Sequence, residues 1–525
     1  MTDSTDTTEL TDLTGLAELL RARGMLRDVV GSLTGGMVGG VRFDSREIEP
    51  GDLFVAVTGA ESDGHAFCAA AVARGAAALI VERPLPQIAA PQLVVASSRS
   101  ALALAAAWHY RFPSRELGVI GITGTDGKTT TSYLVRAMLL ECGYPAGLIT
   151  TIEAICGGVS KGYSGHTTPE APIVQADLRA MVDGGDKFAV LESTSHGLAL
   201  ERVAEVAYDV AVLTNITHEH LDLHGTYEAY VAAKRSLFAR LVISDANPDK
   251  GWGKHAVINA RDAEGASFAA AARAAGAKVL TYSVGDDMAA DIVATDVRDL
   301  PGGVALRVRT PRWASEVTLA LAGSFNAHNA LAAIGVGEVL GLDPVAMRRG
   351  LAGVRHVTGR MQPVVAGQPF EVYVDFAHTP GALAATIAAL APVAAARGGG
   401  VISVFGSPGS RDIAKRPMMG RAAAEHSRIV IVTADDPRQE DPAVIAEEIA
   451  AGALAAGMTR GENLLIIPDR RAAIRRAFEL AQPADIVLLA GKGHEATLAT
   501  KDGPIPWDEP ALAAEALRDL GFSRS

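Results

Sequence analysis

Residues 121 to 131 read Gly-Ile-Thr-Gly-Thr-Asp-Gly-Lys-Thr-Thr-Thr, placed after the apolar Gly118-Val119-Ile120 and before a helical run from Ser132 to Leu140. An apolar strand, a glycine-bent turn and a helix in direct succession constrain the chain to an α/β core, with the turn at the carboxyl end of a parallel strand. The turn has the chemistry of a phosphate-binding loop. Gly124 and Gly127 permit the tight bend that points backbone N–H groups inward, Lys128 supplies a point charge for terminal phosphates, and the Thr129 hydroxyl suits Mg²⁺. The general triphosphate pattern asks for glycine at position 122, where this chain has Ile122; its glycine stands at 124, in the shorter form Gly124-Thr125-Asp126-Gly127-Lys128-Thr129. A bare Gly-Lys-Thr carries little information, and the flanking strand and helix make it specific.

With 525 residues the chain exceeds a single hydrophobic core, and three domains of roughly 100 to 200 residues are expected. The first is expected to end near Pro113, the second to open with the phosphate loop and the third to begin at about Val357, giving 1–113, 114–356 and 357–525. A formal net charge of −12 with no extended basic block argues against a general nucleic-acid or membrane-surface binder. Cys68, Cys142 and Cys156 are widely spaced and odd in number, so they form neither a disulfide framework nor a zinc pattern, and a reducing cytoplasm fits. Met1 to Asp12 is acidic and polar, unlike a secretory signal. No apolar run approaches the ~18 residues that span a bilayer.

Further apolar runs read as strands: Leu53 to Val57 and Ala78 to Val81 in the first segment; Phe188 to Leu191 and Val210 to Leu213 in the second; Val372 to Val374, Val401 to Phe405, Ile429 to Val432, Leu464 to Ile467 and Ile486 to Leu489 in the third. Helical patterns lie between them, including Ala327 to Leu340, so parallel sheets with right-handed crossovers are expected. Ligands of such sheets bind beyond the carboxyl ends of the strands. Polar residues following each strand therefore carry the most weight.

Glu192 ends one such strand beside the phosphate loop, where a carboxylate is placed to hold Mg²⁺; a solvated strand-end glutamate is the bland alternative. His218-Glu219-His220 follows another, and without a Cys or compact third ligand it suits one His facing a nucleotide-bound metal better than zinc. Lys234, taken alone, reads as an exposed helix lysine. In the third segment, Ser407-Pro408-Gly409-Ser410-Arg411-Asp412, Ala434-Asp435-Asp436-Pro437-Arg438 and Gly491-Lys492-Gly493-His494-Glu495 each follow a strand. Surface salt bridging would explain any one of them. Three such loops converging on one cleft, with Arg411 and Arg438 among carboxylates, suit a zwitterionic substrate: guanidinium forks for carboxylates and carboxylates for ammonium groups.

Taken together these residues resemble the Mur ligase family. The match runs in order through Asp44-Ser45-Arg46, Gly124 to Thr130, Thr167-Thr168, Glu192 to Gly197, His220-Leu221-Asp222, Lys234, Asn326 to Asn329, Gly359-Arg360, Asp375 to Pro380, Arg411-Asp412, Lys415-Arg416-Pro417, Asp435 to Arg438 and Gly491 to Glu495. Few of these are specific alone, and the ordered set is. The resemblance implies an α/β protein of three domains: an N-terminal uridine-binding domain, a central P-loop parallel-sheet ATPase domain and a C-terminal Rossmann-like domain that binds an amino acid. It implies an ATP- and Mg²⁺-dependent amide-bond ligase of peptidoglycan precursor synthesis. ATP would phosphorylate the D-glutamyl carboxylate of UDP-N-acetylmuramoyl-L-Ala-D-Glu, and the amine of a diamino acid would attack the acyl phosphate.

The implied catalytic set is Lys128, Glu192, His220 and Lys234. Thr129, Glu192, His220 and a carbamoylated Lys234 would ligate metal. Gly124, Thr125, Asp126, Gly127, Lys128, Thr129, Thr130, Asn329 and Arg360 would hold ATP. Phe43, Ser45, Ala60, Glu61 and Ser62 would hold the uridine end, and His166, Thr167, Thr168, Thr194 and Arg202 the muramoyl-peptide. The added amino acid would lie on Arg411, Asp435, Asp436, Pro437, Arg438, Gly491 and Glu495. A monomer with no nucleic-acid partner is expected.

Three positions depart from the family pattern: Leu200 where many relatives carry Gln, Ser410 where Asp is common, and His166 where Asn is frequent. A fourth bears on substrate. Relatives that use meso-diaminopimelate usually carry Asp-Asn-Pro-Arg, and here the tetrad is Asp435-Asp436-Pro437-Arg438. Arg438 favours meso-2,6-diaminopimelate; the added charge of Asp436 suits a bare ammonium, and so lysine or ornithine. Two other functions remain open. A folylpolyglutamate or cyanophycin-type synthetase is disfavoured by the uridine-binding pattern and the tetrad, and a nucleotide-binding scaffold without ligase activity by the intact Lys128, Glu192, His220 and Lys234.

Overall fold

The computed structural model describes residues 11–59, 62–162, 165–217, 221–244, 250–285, 289–300, 302–410 and 412–523. Its centre is an 11-stranded sheet in which Gly118–Thr123 lies between Phe188–Glu192 and Val210–Leu213. All three are fully buried and parallel, as expected of strands covered by helices on both faces. Lys128–Glu141 and Asn326–Val339 pack Leu134, Met138, Ala330 and Leu331 onto one face. Ala171–Asp183, Tyr227–Ala239 and Gly265–Ala274 pack Leu178, Leu237 and Phe268 onto the other. The central strand admits no side chain at Gly121, because a Cβ there would lie 2.5 Å from the Tyr208 ring.

The parallel part continues through His255–Asn259, Lys278–Val284 and the start of Ile292–Leu300. It then turns antiparallel through Gly303–Arg309 and Ala314–Leu319, and the opposite edge, Ala154–Cys156 with Val159–Ser160, is antiparallel too. These edges are a departure from the all-parallel expectation. Gly303–Arg309 and Ala314–Leu319 alternate buried and exposed residues only toward their ends, and Ala154–Cys156 and Val159–Ser160 are just 3 and 2 residues long, so neither edge shows the fully buried run of the inner strands.

The third segment forms a 6-stranded sheet in the order Gln362–Pro363, Glu371–Asp375, Ile486–Ala490, Val401–Phe405, Ile429–Val432, Leu464–Ile466, parallel except for its first pair. Buried apolar clusters line both of its faces. The strand Ile486–Ala490, late in the chain, inserts beside Val401–Phe405 and Glu371–Asp375, so the loops after these strands share one edge. The first segment has a 5-stranded sheet, parallel from Val41–Arg42 through Leu53–Val55 and Ala78–Val81 to Gln92–Val95, with Leu26–Val30 antiparallel at its edge.

Boundaries of two helices differ from the sequence reading. The one expected over Ala327 to Leu340 spans Asn326–Val339. The helix expected from Ser132 begins at Lys128, with Gly127 at φ 81° as its N-cap. Thr129 to Thr131 have weak helical propensity and disguised the first turn, but all three are buried within the fold, which overrides it. The strands expected to reach Val57 and Ile467 end at Val55 and Ile466.

Candidate active site

The phosphate loop is held from outside its own sequence. Asn215, at the end of the neighbouring strand, accepts Thr125 N–H at its carbonyl (2.7 Å) and Asp126 N–H at Oδ1 (3.0 Å), while its Nδ2 and the Thr214 hydroxyl donate to the Asp126 carbonyl. The Thr125 hydroxyl lies 2.8 Å from the Tyr230 hydroxyl. Gly124 is required here: a Cβ would sit 1.9 Å from Thr214 Oγ1, and its φ of 145° suits no other residue. Gly127 is equally hemmed in, with Asn329 Oδ1 2.2 Å from where its Cβ would be. Lys128 folds back on the loop, donating to the Gly124 and Thr125 carbonyls at 3.1 and 2.6 Å. These are neutral acceptors, which an incoming phosphate anion outcompetes.

Lys234 is not the exposed lysine its local sequence suggests. It is 1 % exposed, its Nζ donates to the Gly124 carbonyl at 2.5 Å, and it lies 4.7 Å from the Tyr230 ring centre. Glu192, also 1 % exposed, accepts from the Thr151 hydroxyl at 3.1 Å. Thr168 bridges the same strand end by donating to the Glu192 carbonyl (2.8 Å) and meeting the Thr194 hydroxyl (3.0 Å). Arg202 donates to the Thr168 carbonyl and pairs with Glu170 at 2.8 Å. His220, Ala60, Glu61 and Arg411 lie outside the described residues.

Arg360 links the second and third segments. Its Nη2 donates to the Thr129 hydroxyl at 3.2 Å and its guanidinium stacks 4.6 Å over Phe376. It lines two cavities. One, of about 330 Å³, is bounded by Asn326, Asn329, Asp375, Ala382 and Thr386, an apolar slot with a few polar groups beside the phosphate loop and suited to a nucleoside. Asp375 at its wall is buried, which raises its pKa against the opposing pull of Arg360 and of the Met361 and Ala377 N–H groups.

The other cavity, of about 640 Å³, has Thr125 to Thr129, Thr151, Thr167 and Thr194 on one side and Pro408, Asp435, Asp436, Arg438, Gly491, His494 and Glu495 on the other. The loops expected to converge do so. Arg438 N–H bonds to the Ala499 carbonyl and Gly409 N–H to the Asp436 carbonyl, both at 3.0 Å. Ser410, Asp436 and Arg438 all adopt left-handed backbone, with φ of 54°, 47° and 55°, a cost that clusters at ligand-holding sites. Pro437 between them is buried. Phe43 and Ser45 follow the Val41–Arg42 strand of the first segment, half-buried, while Ser62 and His166 are exposed; none of the four lines either cavity.

Beneath the loops, Arg470 and Glu509 form a pair with both side chains 0 % exposed at 2.6 Å. Arg470 also donates to the carbonyls of Ala434 and Ala490, the residues just before Asp435 and Gly491, and Glu509 is held by the Trp507 indole N–H. His494 is driven down to about 3 by burial first and then by Arg360, His378 and Lys492, so its imidazole is neutral. The sequence reading gave no role to Asn215 or Thr151 and quoted Lys492 only as part of its loop. Only Lys492 carried a local signal: like Lys128, it stands against glycine at the end of a buried strand.

Family models match the chain in the order of its sheets: Mur ligase family, catalytic domain, over residues 38–110; Mur ligase middle domain over 122–337; and Mur ligase, glutamate ligase domain, over 359–493. The UDP-N-acetylmuramyl-tripeptide synthetase of Roseiflexus sp. (strain RS-1) is 46% identical over 491 residues, covering 92% of this chain and 95% of the relative. The chain belongs to the Mur ligase family. It is thus an ATP-dependent amide-forming ligase. The UDP-N-acetylmuramoyl-L-alanyl-D-glutamate–2,6-diaminopimelate ligase of Solibacter usitatus (strain Ellin6076) is 38% identical to it, over 97% of this chain and 99% of the relative. A solved structure of a ligase with that same name superposes with a TM-score of 0.64 at 30% identity, over 95% of this Mur ligase and 98% of that chain. MurF from Acinetobacter baumannii, at 22% identity and a TM-score of 0.66, shares the fold.

Proposed function

We propose that this Mur ligase adds a diamino acid, meso-2,6-diaminopimelate in the favoured reading, to the D-Glu of UDP-N-acetylmuramoyl-L-Ala-D-Glu in peptidoglycan precursor synthesis. One observation carries the reading: a single cavity has the phosphate loop on one wall and Asp435, Asp436, Arg438, Gly491 and Glu495 on the other. A carboxylate activated at the first wall thereby meets an amine held at the second. The names of the relatives at 46% and 38% identity agree with it.

In this mechanism the D-Glu carboxylate attacks the γ-phosphorus of ATP, ADP leaves, and an acyl phosphate forms. The neutral amine of the diamino acid then attacks the acyl carbon, inorganic phosphate leaves, and the nitrogen gives up its proton. Gly124 to Thr130, with Asn329 and Arg360, hold the nucleotide, and Lys128 turns from its two carbonyls to the transferring phosphoryl group, whose charge it stabilises. Glu192 suits a cation, since a buried carboxylate held by a neutral hydroxyl is short of positive charge. With the Thr129 hydroxyl, His220 and Lys234 it would hold Mg²⁺, which supplies charge neutralisation to the phosphates. Reaction of the Lys234 amine with CO₂ would give a carbamate and a proton, converting a buried cation beside the loop into an anionic ligand. Phe43, Ser45 and Ser62, with Ala60 and Glu61, would take the uridine end, and His166, Thr167, Thr168, Thr194 and Arg202 the muramoyl-peptide. The segments 1–113, 114–356 and 357–525 act as the three domains of a cytoplasmic monomer; no described helix is long and apolar enough to cross a membrane.

Asp436 favours a second reading, in which lysine or ornithine is the added residue, because a carboxylate in the pocket accepts an ammonium. Initial rates with ATP, the UDP-muramoyl dipeptide and each of diaminopimelate, lysine and ornithine decide between them. Diaminopimelate is expected to be fastest; a faster lysine or ornithine installs the second reading, and no turnover with any of the three overturns both.

A further inference from the structure

Asp436 is not a bare charge in the pocket. Its Oδ1 accepts the ammonium of Lys492 at 2.7 Å and the N–H of Ala499 at 2.9 Å. The same ammonium reaches Glu495 at 2.7 Å and lies 4.0 Å from Asp435. The Lys492 side chain is 0 % exposed, against 18% for Asp436 and 36% for Glu495. The lysine therefore lies behind the carboxylates, out of reach of a substrate, while they face the cavity. Burial pulls the Lys492 ammonium toward neutrality, but Asp435, Glu495 and Asp436 outweigh it and keep the charge on.

We propose that Lys492 is a specificity-determining positioning residue: by holding Asp436 and Glu495 and offsetting their charge, it lets the pocket accept a diamino acid that bears a second carboxylate. The inference rests on the proposed ligation of a diamino acid and deepens it. With Oδ1 of Asp436 committed to Lys492 and Ala499, Oδ2 is left to accept the distal ammonium, and Arg438 is left to pair the distal carboxylate. Were Lys492 neutral, Asp435, Asp436 and Glu495 would lose the ammonium bonded to two of them, and Arg470 beneath, already paired with Glu509 at 2.6 Å, would not replace it, so a carboxylated substrate would meet their repulsion where lysine would not.

The test measures kcat and KM for diaminopimelate and for lysine, with the KM for ATP as a control, in the natural protein, in Lys492→Met and in Asp436→Asn. Lys492→Met is expected to raise the KM for diaminopimelate about tenfold more than that for lysine, and Asp436→Asn to shift the ratio the opposite way by several-fold, with the KM for ATP unchanged in both. Equal losses on both amino acids, or shifts of the same sign in the two variants, overturn the proposal and leave Lys492 a packing residue. If Lys492→Met fails to fold, Asp436→Asn alone decides: an unmoved ratio overturns the proposal. Failure of the natural protein to use any diamino acid is a separate result, seen before any variant is made, and it overturns the parent reading instead.

Discussion

Lys128 follows the buried strand Gly118–Thr123 and sits against Gly127; Lys492 follows the buried strand Ile486–Ala490 and sits between Gly491 and Gly493. The two settings look alike in sequence, and the fold gives the residues opposite tasks. Lys128 is half-buried and rests on the carbonyls of Gly124 and Thr125, so its charge is available to a ligand. Lys492 is fully buried against Asp436 and Glu495, so its charge is already committed. The partner, rather than the motif, decides whether a loop lysine's charge is open to a ligand or bound within the protein. The difference extends outward: the phosphate loop is clamped by hydrogen bonds with Asn215, Thr214 and Lys234, whereas the loops opening at Asp435 and Gly491 stand on the buried ion pair Arg470–Glu509.

The largest expected effect probes the fixed side of this comparison. Arg470→Met leaves Glu509 buried without a cation and frees the Ala434 and Ala490 carbonyls, so chemical denaturation should show a loss of about 3–5 kcal/mol. A loss below about 1 kcal/mol would mean that the pair does not anchor the loops. On the phosphate-loop side, Lys128→Met should lower kcat about 10²–10³-fold with the unfolding midpoint nearly unchanged; a large stability loss with kcat retained would reverse the two roles. Under the proposed carbamate on Lys234, Lys234→Ala should cost about 10²-fold in kcat and regain part of it with added short carboxylates. Unchanged activity would make Lys234 a loop-packing residue held by Gly124.

The effect smallest at any single step, taken per pH unit, concerns His494. Its folded pKa of about 3 lies below the ordinary value near 6.5, so between those values the unfolded chain takes up a proton that the folded chain refuses. Stability should then fall as pH drops through about 6.5, at no more than about 1.4 kcal/mol per pH unit from this group. His494→Gln should flatten that fall between about pH 6.5 and 4, measured by denaturant titrations at several pH values; an identical slope would mean that the imidazole is not buried neutral.

The phosphate loop and the inner strands were legible because buried parallel strands are continuous apolar runs and their ligand residues come directly after them. The convergence of Pro408, Asp435 and Gly491 followed from the same rule. The antiparallel edges were hidden by short strands and partial alternation, and the first turn of the Lys128 helix by its threonines. Contacts made across long stretches of chain were illegible for a different reason. Nothing near Asp436 announces Lys492, and nothing near Asp126 announces Asn215, because each pair meets only through strand order. The sequence accordingly pointed to an added negative charge at Asp436, which the structure shows held by an ammonium.

In the proposed reaction, two walls of one cavity join a carboxylate to an amine at the expense of ATP. The most direct measurement is phosphate release from ATP by the purified protein with the UDP-muramoyl dipeptide and the diamino acid supplied singly and together. Release only when both are present is the predicted result. Turnover without the dipeptide, with a folate or aspartate acceptor in its place, would contradict it.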